Sequence, residues 1–136
     1  PPDLPPAGSS LVQIFPSGPQ SSSRHIEQLL LAAIYSARRE VVLTTPYFIP
    51  SEALLTALRS AAMRGVRVVL IVPARVDSML VRYAGNAYFN DLLAAGVEVL
   101  CCGDGLLHTT SMVVDGEVMI FGGVKLAQLR GLADRV

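Results

Sequence analysis

Two continuous apolar runs, each closed by a proline, constrain the fold of this chain more than any other feature. Residues 40–45 read Glu-Val-Val-Leu-Thr-Thr before Pro46, and residues 66–72 read Val-Arg-Val-Val-Leu-Ile-Val before Pro73. Runs rich in β-branched residues are typical of strands covered on both faces, and proline cannot continue a central strand. The sequence therefore predicts two buried strands, at 40–45 and 66–72.

Three amphipathic patterns have the periodicity of a helix. Apolar residues recur at intervals of three and four residues, which places them on one stripe of each helix. Ser51 offers an N-cap oxygen to the second helix, and Gly65 and Gly96 follow the second and third helices as terminators. The predicted helices cover residues 24–39, 51–64 and 79–95.

Shorter strand patterns occupy much of the remaining chain. Residues 11–15 alternate, residues 97–102 form another apolar run, and residues 106–115 and 118–124 flank an Asp-Gly hairpin turn signal. Strands that alternate with helices become parallel neighbours, because each return to a parallel strand needs a crossover. The predicted fold class is therefore α/β, with a mixed, largely parallel sheet flanked by helices.

The first ten residues differ in composition from the rest. Their prolines disfavour a helix or a central strand, and glycine and serine are typical of linkers. We interpret residues 1–10 as a linker or flexible start. Residues 11–136 are interpreted as one domain, since a chain of 136 residues can bury one core.

The composition is apolar and electrically balanced. Hydrophobic residues make up 51% and charged residues 16%, with a mean hydropathy of +0.49. Lysine and arginine total 11, as do aspartate and glutamate, so the formal net charge is +0. Nucleic-acid binders neutralise phosphates with excess basic residues, so no nucleic-acid partner is expected. No apolar run reaches the roughly 18 residues of a membrane-spanning helix, so the expected membrane contact is peripheral.

His108 and Asp115 are the residues most suited to chemistry. Imidazole titrates near neutral pH, so a histidine can act as a nucleophile or as an acid and base. A lone histidine beside apolar residues is more often a hydrogen-bonded structural residue than a catalyst. The residues alone therefore leave both interpretations of His108 open.

The spacing of these residues resembles the second signature segment of the phospholipase D superfamily. That segment reads His-x-Lys-x-x-x-x-Asp and is followed by Gly-Ser/Thr-x-Asn on the next strand. His108 and Asp115 fall on the first pattern, and Gly122 falls on the first glycine of the second. Residues 12–19, with a Ser-Gly-Pro turn, and residues 44–50, Thr-Thr-Pro-Tyr-Phe-Ile-Pro, look like segments of bacterial cardiolipin synthases.

The resemblance covers nearly all of residues 11–124 and implies a phosphatidyltransferase that moves a phosphatidyl group between two phosphatidylglycerol molecules. In that family two half-domains face each other, and a histidine from one half attacks the phosphorus. By resemblance His108 is the acid–base histidine of the second, C-terminal half, and Asp115 supports the site. The implied partners are a missing N-terminal half-domain or a second copy, and the cytoplasmic surface of the bacterial inner membrane. No metal or organic cofactor is implied.

Three positions depart from the family pattern. Thr110 stands at the motif lysine, Gly123 at the serine or threonine, and Lys125 at the asparagine. Each lost phosphate donor typically costs on the order of a hundredfold in rate, so we expect an impaired or inactive chain. The candidate substrate-binding residues are Thr110, Gly122, Gly123, Lys125, Tyr47 and Phe48.

Alternatives remain for several of these assignments. Tyr47 and Phe48 are as well explained by core packing, and Lys125 better by a solvated position near the end of a strand. The whole chain is also consistent with a non-catalytic domain that only folds or pairs. A homodimeric phosphodiesterase or nuclease is a further alternative, which the balanced charge disfavours.

Overall fold

The computed structural model describes residues 5, 7–15, 23–46, 48–73, 88–103, 109–122 and 126–127. Residues 88–95 are helical. The other elements are α1 (Ser23–Ser36), β1 (Glu40–Thr44), β2 (Phe48–Ile49), α2 (Glu52–Met63), β3 (Arg67–Pro73), β4 (Glu98–Cys102), β5 (Thr110–Val114), β6 (Val118–Gly122) and β7 (Leu126–Ala127).

Five strands form one mixed sheet in the order β4-β3-β1-β5-β6. Strands β4, β3 and β1 run parallel, whereas β5 runs antiparallel to β1 and β6 antiparallel to β5. The two parallel pairings need crossover helices, and α2 and the helical residues 88–95 lie in those two connections. The predicted α/β class with a mixed sheet is confirmed.

The predicted helix ends at Ser51, Gly65 and Gly96 are confirmed, whereas α1 ends at Ser36 rather than at residue 39, so residues 37–39 form the connection into β1. The hydroxyl of Ser51 accepts a hydrogen bond from the amide of Leu54, 3.1 Å away, and donates to the carboxylate of Glu27 on α1. Gly65 and Gly96, at φ 88° and 100°, adopt the left-handed conformation that ends a helix most readily at glycine. Ser51 therefore marks the start of α2, and Gly65 and Gly96 mark the ends of α2 and of the helix at residues 88–95, as the sequence predicts.

The core lies on one face of the sheet. Strand residues of one parity, such as Leu43, Leu70 and Met112, form a single buried cluster with apolar residues of α1, α2 and residues 88–95. Val69, of the other parity, is buried but lies outside this cluster. The described helices therefore pack on one face of the sheet.

The opposite face and the β6 edge expose apolar side chains. Leu100 on β4 is half exposed, and Met119 and Phe121 on β6 are 61% and 71% exposed. The register places Met119 beside Val113 and Phe121 beside Ser111, both on the face opposite the core. A mixed α/β sheet usually has both faces covered, so this apolar face is suited to contact with further polypeptide.

One prediction about strands needs correction. Residues 11–15 form no strand, and Leu11, Val12 and Ile14 are exposed, because alternation alone cannot supply a neighbouring strand to pair with. The second hairpin strand is described over Val118–Gly122, and residues 126–127 pair with β2 in parallel. Residues 79–87, 104–108 and 123–125, parts of the predicted third helix and hairpin and the segment after it, lie outside the described residues.

Candidate active site

The two ends of the strands differ in composition. We call the end of the sheet formed by the carboxyl ends of β1 and β3, the start of β5 and the end of β6 the site edge. The opposite edge, formed by the amino ends of β1 and β3 and the turn between β5 and β6, is the turn edge. Reactive groups in α/β sheets collect where parallel strands end, which corresponds to the site edge.

Three polar or small residues meet at the site edge. Thr110 at the start of β5 pairs with Gly122 at the end of β6. The Oγ1 atoms of Thr110 and Thr45 lie 3.3 Å apart, in hydrogen-bond contact. The structure thus brings together two of the predicted substrate-binding residues, Thr110 and Gly122, with a third residue, Thr45, that the sequence interpretation did not select.

Thr110 is enclosed rather than open to a ligand. Its side chain is 4% exposed, and Thr45 is 0% exposed. The Thr110 hydroxyl is engaged inside the protein at the position where the family motif has lysine. This position therefore supplies neither a positive charge nor an exposed donor to a phosphate group.

Asp115 lies at the turn edge, away from Thr110. Its carboxylate accepts hydrogen bonds from the backbone amides of Arg38, Arg39 and Glu40, at 3.0, 2.7 and 2.9 Å. Its own amide donates to the Glu40 carbonyl at 2.8 Å. The side chain thereby joins the β5–β6 turn to the segment that leads from α1 into β1.

The local backbone explains why an aspartate stands here. Asp115 and Gly116 have φ values of 55° and 67°, and the Glu117 amide donates to the Val114 carbonyl at 3.0 Å. Positive φ at both central positions is what the Asp-Gly hairpin signal predicts. The turn directs the Asp115 carboxylate toward the three amides, and Arg39 reinforces it by donating to the Asp115 carbonyl at 2.9 Å.

These amides also set the charge state of Asp115. Hydrogen bonds from the backbone of Glu40, Arg38 and Arg39 stabilise the carboxylate and hold the pKa of Asp115 below its ordinary value. Along an extended strand, five positions separate Asp115 from Thr110 by on the order of 15 Å. A direct catalytic contact by Asp115 stays a prediction, and its observed contacts are those of a residue that supports the fold.

The aromatic candidates divide between the core and the undescribed part of the chain. Phe48 is buried in the core, and its ring stacks on Phe89 with centroids 6.1 Å apart and planes 4° apart. This packing favours the structural alternative for Phe48, while a substrate contact stays a prediction. Tyr47 lies outside the described residues, as do His108, Gly123 and Lys125.

Other possible sites among the described residues are limited. A surface hollow of about 520 Å³ lies at the turn edge, lined by Ser36, Arg38, Arg39, Val114, Asp115, Glu117 and Val118. It is on the opposite edge from Thr110, so it does not extend the candidate site. Within the part of the chain that the structure describes, no group of three or more His, Cys, Asp or Glu side chains is placed to bind a metal. None of the described helices is long and apolar enough to span a membrane.

Thr45 is the site-edge residue that sequence reasoning missed. A period of two from Val41 and Leu43, both buried, places Thr45 on the same side of the chain and predicts a buried hydroxyl at the end of the strand. A buried hydroxyl requires a partner, which would have directed attention to the facing strand. The period of two therefore indicates that Thr45 is buried, although the run as a whole is continuous and β-branched and shows no obvious alternation.

Comparison with known proteins identifies relatives over most of the chain. The family model for the cardiolipin synthase, PLD-like domain matches residues 30–128. Cardiolipin synthase A from Proteus mirabilis is 51% identical over 120 residues, which are 88% of this chain and 25% of that protein. Cardiolipin synthase A from Pectobacterium carotovorum is 50% identical over 115 residues, which are 85% of this chain and 24% of that protein. The chain therefore spans about a quarter of the length of these curated relatives.

Solved structures agree on the fold. A phospholipase D family member, Nuc from Salmonella typhimurium, matches with a TM-score of 0.65 at 22% identity, covering 75% of this chain and 65% of that chain. Polyphosphate kinase from Porphyromonas gingivalis matches with a TM-score of 0.53 at 19% identity, covering 71% of this chain and 14% of that chain. The fold is shared at low identity, and the sequence relatives specify the family: this chain belongs to the cardiolipin synthase family of phospholipase D-like domains.

Proposed function

We propose that this chain is one half of a cardiolipin synthase-like phosphatidyltransferase and that its phosphate-binding residues are impaired. The family match over residues 30–128 supports the first part. The second part depends on one observation, the burial of Thr110 at the position of the motif lysine. The substrate in this proposal is phosphatidylglycerol, and the reaction is phosphodiester transfer.

The proposed reaction has two steps. A histidine nitrogen of the other half attacks the phosphorus of one phosphatidylglycerol, the bond from phosphorus to the glycerol oxygen breaks, and His108 gives that oxygen a proton. A hydroxyl of a second phosphatidylglycerol then attacks the phosphohistidine, its proton passes to His108, and the bond between phosphorus and nitrogen breaks. One imidazole thus serves first as acid and then as base, which suits a group that titrates near neutral pH.

The other candidate residues are assigned by support or by contact with phosphate. Asp115 supports the fold through the amides of residues 38–40. Gly122 adjoins Thr110 in the sheet, while Gly123 and Lys125 follow it in the chain. Negative charge develops on the phosphate oxygens in the transition state, and hydrogen-bond donors that are already in place stabilise it. A site that lacks such a donor has a higher activation barrier. The loss of the lysine at position 110 therefore accounts for much of the proposed impairment.

The missing half and the membrane complete the proposal. The attacking histidine would come from a second half-domain or from a second copy of this chain. The apolar side chains exposed on β6 and the high apolar content support contact with further polypeptide or with lipid. We place the chain peripherally at the cytoplasmic side of the bacterial inner membrane.

A non-catalytic role is the second candidate function. The engaged hydroxyl of Thr110 favours it, because this position is occupied by a residue that stabilises the interior rather than by a ligand-binding group. In this role the domain folds or pairs without turnover. A homodimeric phosphodiesterase or nuclease has less support, since the formal net charge is +0.

The test is cardiolipin formation from phosphatidylglycerol vesicles, with glycerol release measured in parallel. Four samples are compared. Full-length cardiolipin synthase A from Proteus mirabilis is the positive control, and the wild-type chain, Thr110→Lys, and Thr110→Lys with His108→Ala are each mixed with the separately expressed other half of that relative. We expect product from the relative and only background from the wild-type chain. Thr110→Lys should raise product above background, and the added His108→Ala should remove that gain.

Three results would contradict this proposal. Wild-type turnover that matches the relative and disappears in His108→Ala would show that the site is not impaired. Background activity from folded Thr110→Lys, even after the separately expressed other half of the relative is added, would support the non-catalytic role. Hydrolysis of bis(p-nitrophenyl) phosphate without cardiolipin formation would instead support a phosphodiesterase.

A further inference from the structure

Thr45 connects three strands at the site edge. Its amide donates to the Ile71 carbonyl at 3.1 Å, which extends the contact between β1 and β3 beyond Thr44. Its Oγ1 lies 3.3 Å from Oγ1 of Thr110 on β5. The same fully buried residue is therefore tied to β3 through its backbone and to β5 through its side chain.

The contact lies at the first residue of β5. The register between β1 and β5 runs from Val41–Val114 to Thr44–Ser111, so the Thr45–Thr110 hydroxyl pair lies one position beyond it. Thr110 follows His108 by two positions in the chain. A hydrogen bond at this point fixes where β5 begins and thus the backbone to which the preceding residues are attached.

The surroundings make this hydrogen bond directional. Leu43 and Met112, the neighbours of the pair on β1 and β5, are fully buried and apolar. In such an interior a hydroxyl–hydroxyl contact is stronger than in water, and water cannot easily replace it. Valine at position 45 would preserve shape but not this contact, whereas serine would preserve the hydroxyl.

We propose that Thr45 is a positioning residue of the site, which acts through Thr110 to fix the start of β5, two positions after His108 in the chain. The inference rests on the proposed function, because it is His108 that makes this part of the chain a site. Thr45 itself is enclosed and touches no substrate. Its role is to limit the positions that the start of β5 can adopt.

The test uses the imidazole resonances of His108 in NMR spectra of the wild-type chain and three variants at one pH. Thr45→Val removes the hydroxyl, Thr45→Ser retains it, and Thr44→Val is the matched control on the neighbouring residue of the opposite face. We expect Thr45→Val to shift the His108 resonances and the other two variants to leave them in place. His25, on α1, is the internal reference and should not shift in any variant.

Each other outcome contradicts the inference. If the His108 resonances of Thr45→Val coincide with those of Thr44→Val, the hydroxyl does not position this segment. If Thr45→Ser shifts them as much as Thr45→Val, methyl packing rather than the hydrogen bond is responsible. Should Thr45→Val fail to fold, Thr110→Val deletes the same hydrogen bond from β5, and unshifted His108 resonances there would overturn the proposal. The NMR measurement needs no turnover. The positioning role of Thr45 can therefore fail while the phosphatidyltransferase assignment holds, and the phosphatidyltransferase assignment can fail while the positioning role holds.

Discussion

The turn edge and the site edge of the sheet satisfy their polar groups in different ways. At the turn edge the partly buried Asp115 carboxylate accepts hydrogen bonds from three backbone amides. At the site edge two hydroxyls are buried against each other. The proposed function assigns a phosphate-binding role to the motif lysine, whose place Thr110 takes at the site edge, whereas Asp115 joins elements of the fold at the turn edge. In that proposal, stability and catalysis are separable parts of one motif.

The largest effect is expected from removing the charge at the turn edge. Asp115→Asn removes the negative charge and replaces one carboxylate oxygen by an amide NH2 group, so the three backbone amides at the junction between α1, β1 and the hairpin turn face a weaker, neutral acceptor. We expect a fall of several degrees in the midpoint of thermal unfolding, measured by circular dichroism at pH 7. Glu117→Gln is the matched control, because this carboxylate is in the same turn but, among the described residues, pairs with Arg39 alone, at 3.5 Å.

The comparison of wild type with Asp115→Asn also gives a pH test with a definite sign. Folding lowers the pKa of Asp115, so this residue stabilises the folded state fully at pH values above its unfolded pKa of about 3.9. The stabilisation is lost as the pH falls through the lower pKa of the folded state. The difference between wild type and Asp115→Asn should therefore be constant near neutral pH and become smaller below about pH 4. A difference that grows with acid would show that the three amides do not stabilise the charged form.

An intermediate effect is expected at the site edge. Thr45→Val and Thr110→Val should each lower the free energy of unfolding by about 1 kcal/mol, because each removes the hydroxyl–hydroxyl hydrogen bond between the two strands. The double variant should cost less than the sum, since it removes both hydroxyls together. Denaturant titrations measure all three. Additive costs would mean that the two hydroxyls do not stabilise each other, and the contrast between the two edges would then lose its basis.

The smallest effect is expected from the exposed ion pairs beside the turn edge. Arg67 bridges Glu40 at 2.7 Å and Glu98 at 3.3 Å across three strands, yet its side chain is well exposed. Arg67→Met should lower the thermal midpoint slightly in dilute buffer, and the difference should disappear in concentrated salt, which screens exposed charges. Arg59→Met is the control, because no carboxylate among the described residues pairs with Arg59. A salt-independent loss would indicate that the Arg67 stem contributes through packing instead.

The sequence predicted the parts of the fold whose signals are local. Strands β1 and β3 follow from continuous apolar runs, and α2 follows from an amphipathic stripe between Ser51 and Gly65. The pairing of β2 with β7 could not be predicted in this way, because two-residue strands distant in sequence carry no periodicity. The error at residues 11–15 has a different cause: the alternation is present, but no described strand pairs with this segment.

The residues of the candidate site were selected from the sequence and stay predictions, whereas the arrangement of those that the structure describes could not be predicted. The motif spacing selects Asp115, yet its distance from Thr110 follows only from the antiparallel direction of β5, which brings its start to one edge and its end to the other. The enclosure of Thr110 depends on Thr45, which is distant in sequence. Residue types indicated the chemistry, and the sheet register determined which residues meet.

The register of β5 also limits which insertions and deletions this region can accept. Thr110, Met112 and Val114 face the core, and Asp115 must follow Val114 immediately to reach the amides of residues 38–40. Side chains alternate along a strand, so removing one residue between Thr110 and Asp115 would point one of these two side chains to the wrong face of the sheet. That side chain would then lose its contact. The four unspecified positions between the motif lysine and aspartate are thus a fixed length of strand, and members of the family can vary the residues there far more freely than their number.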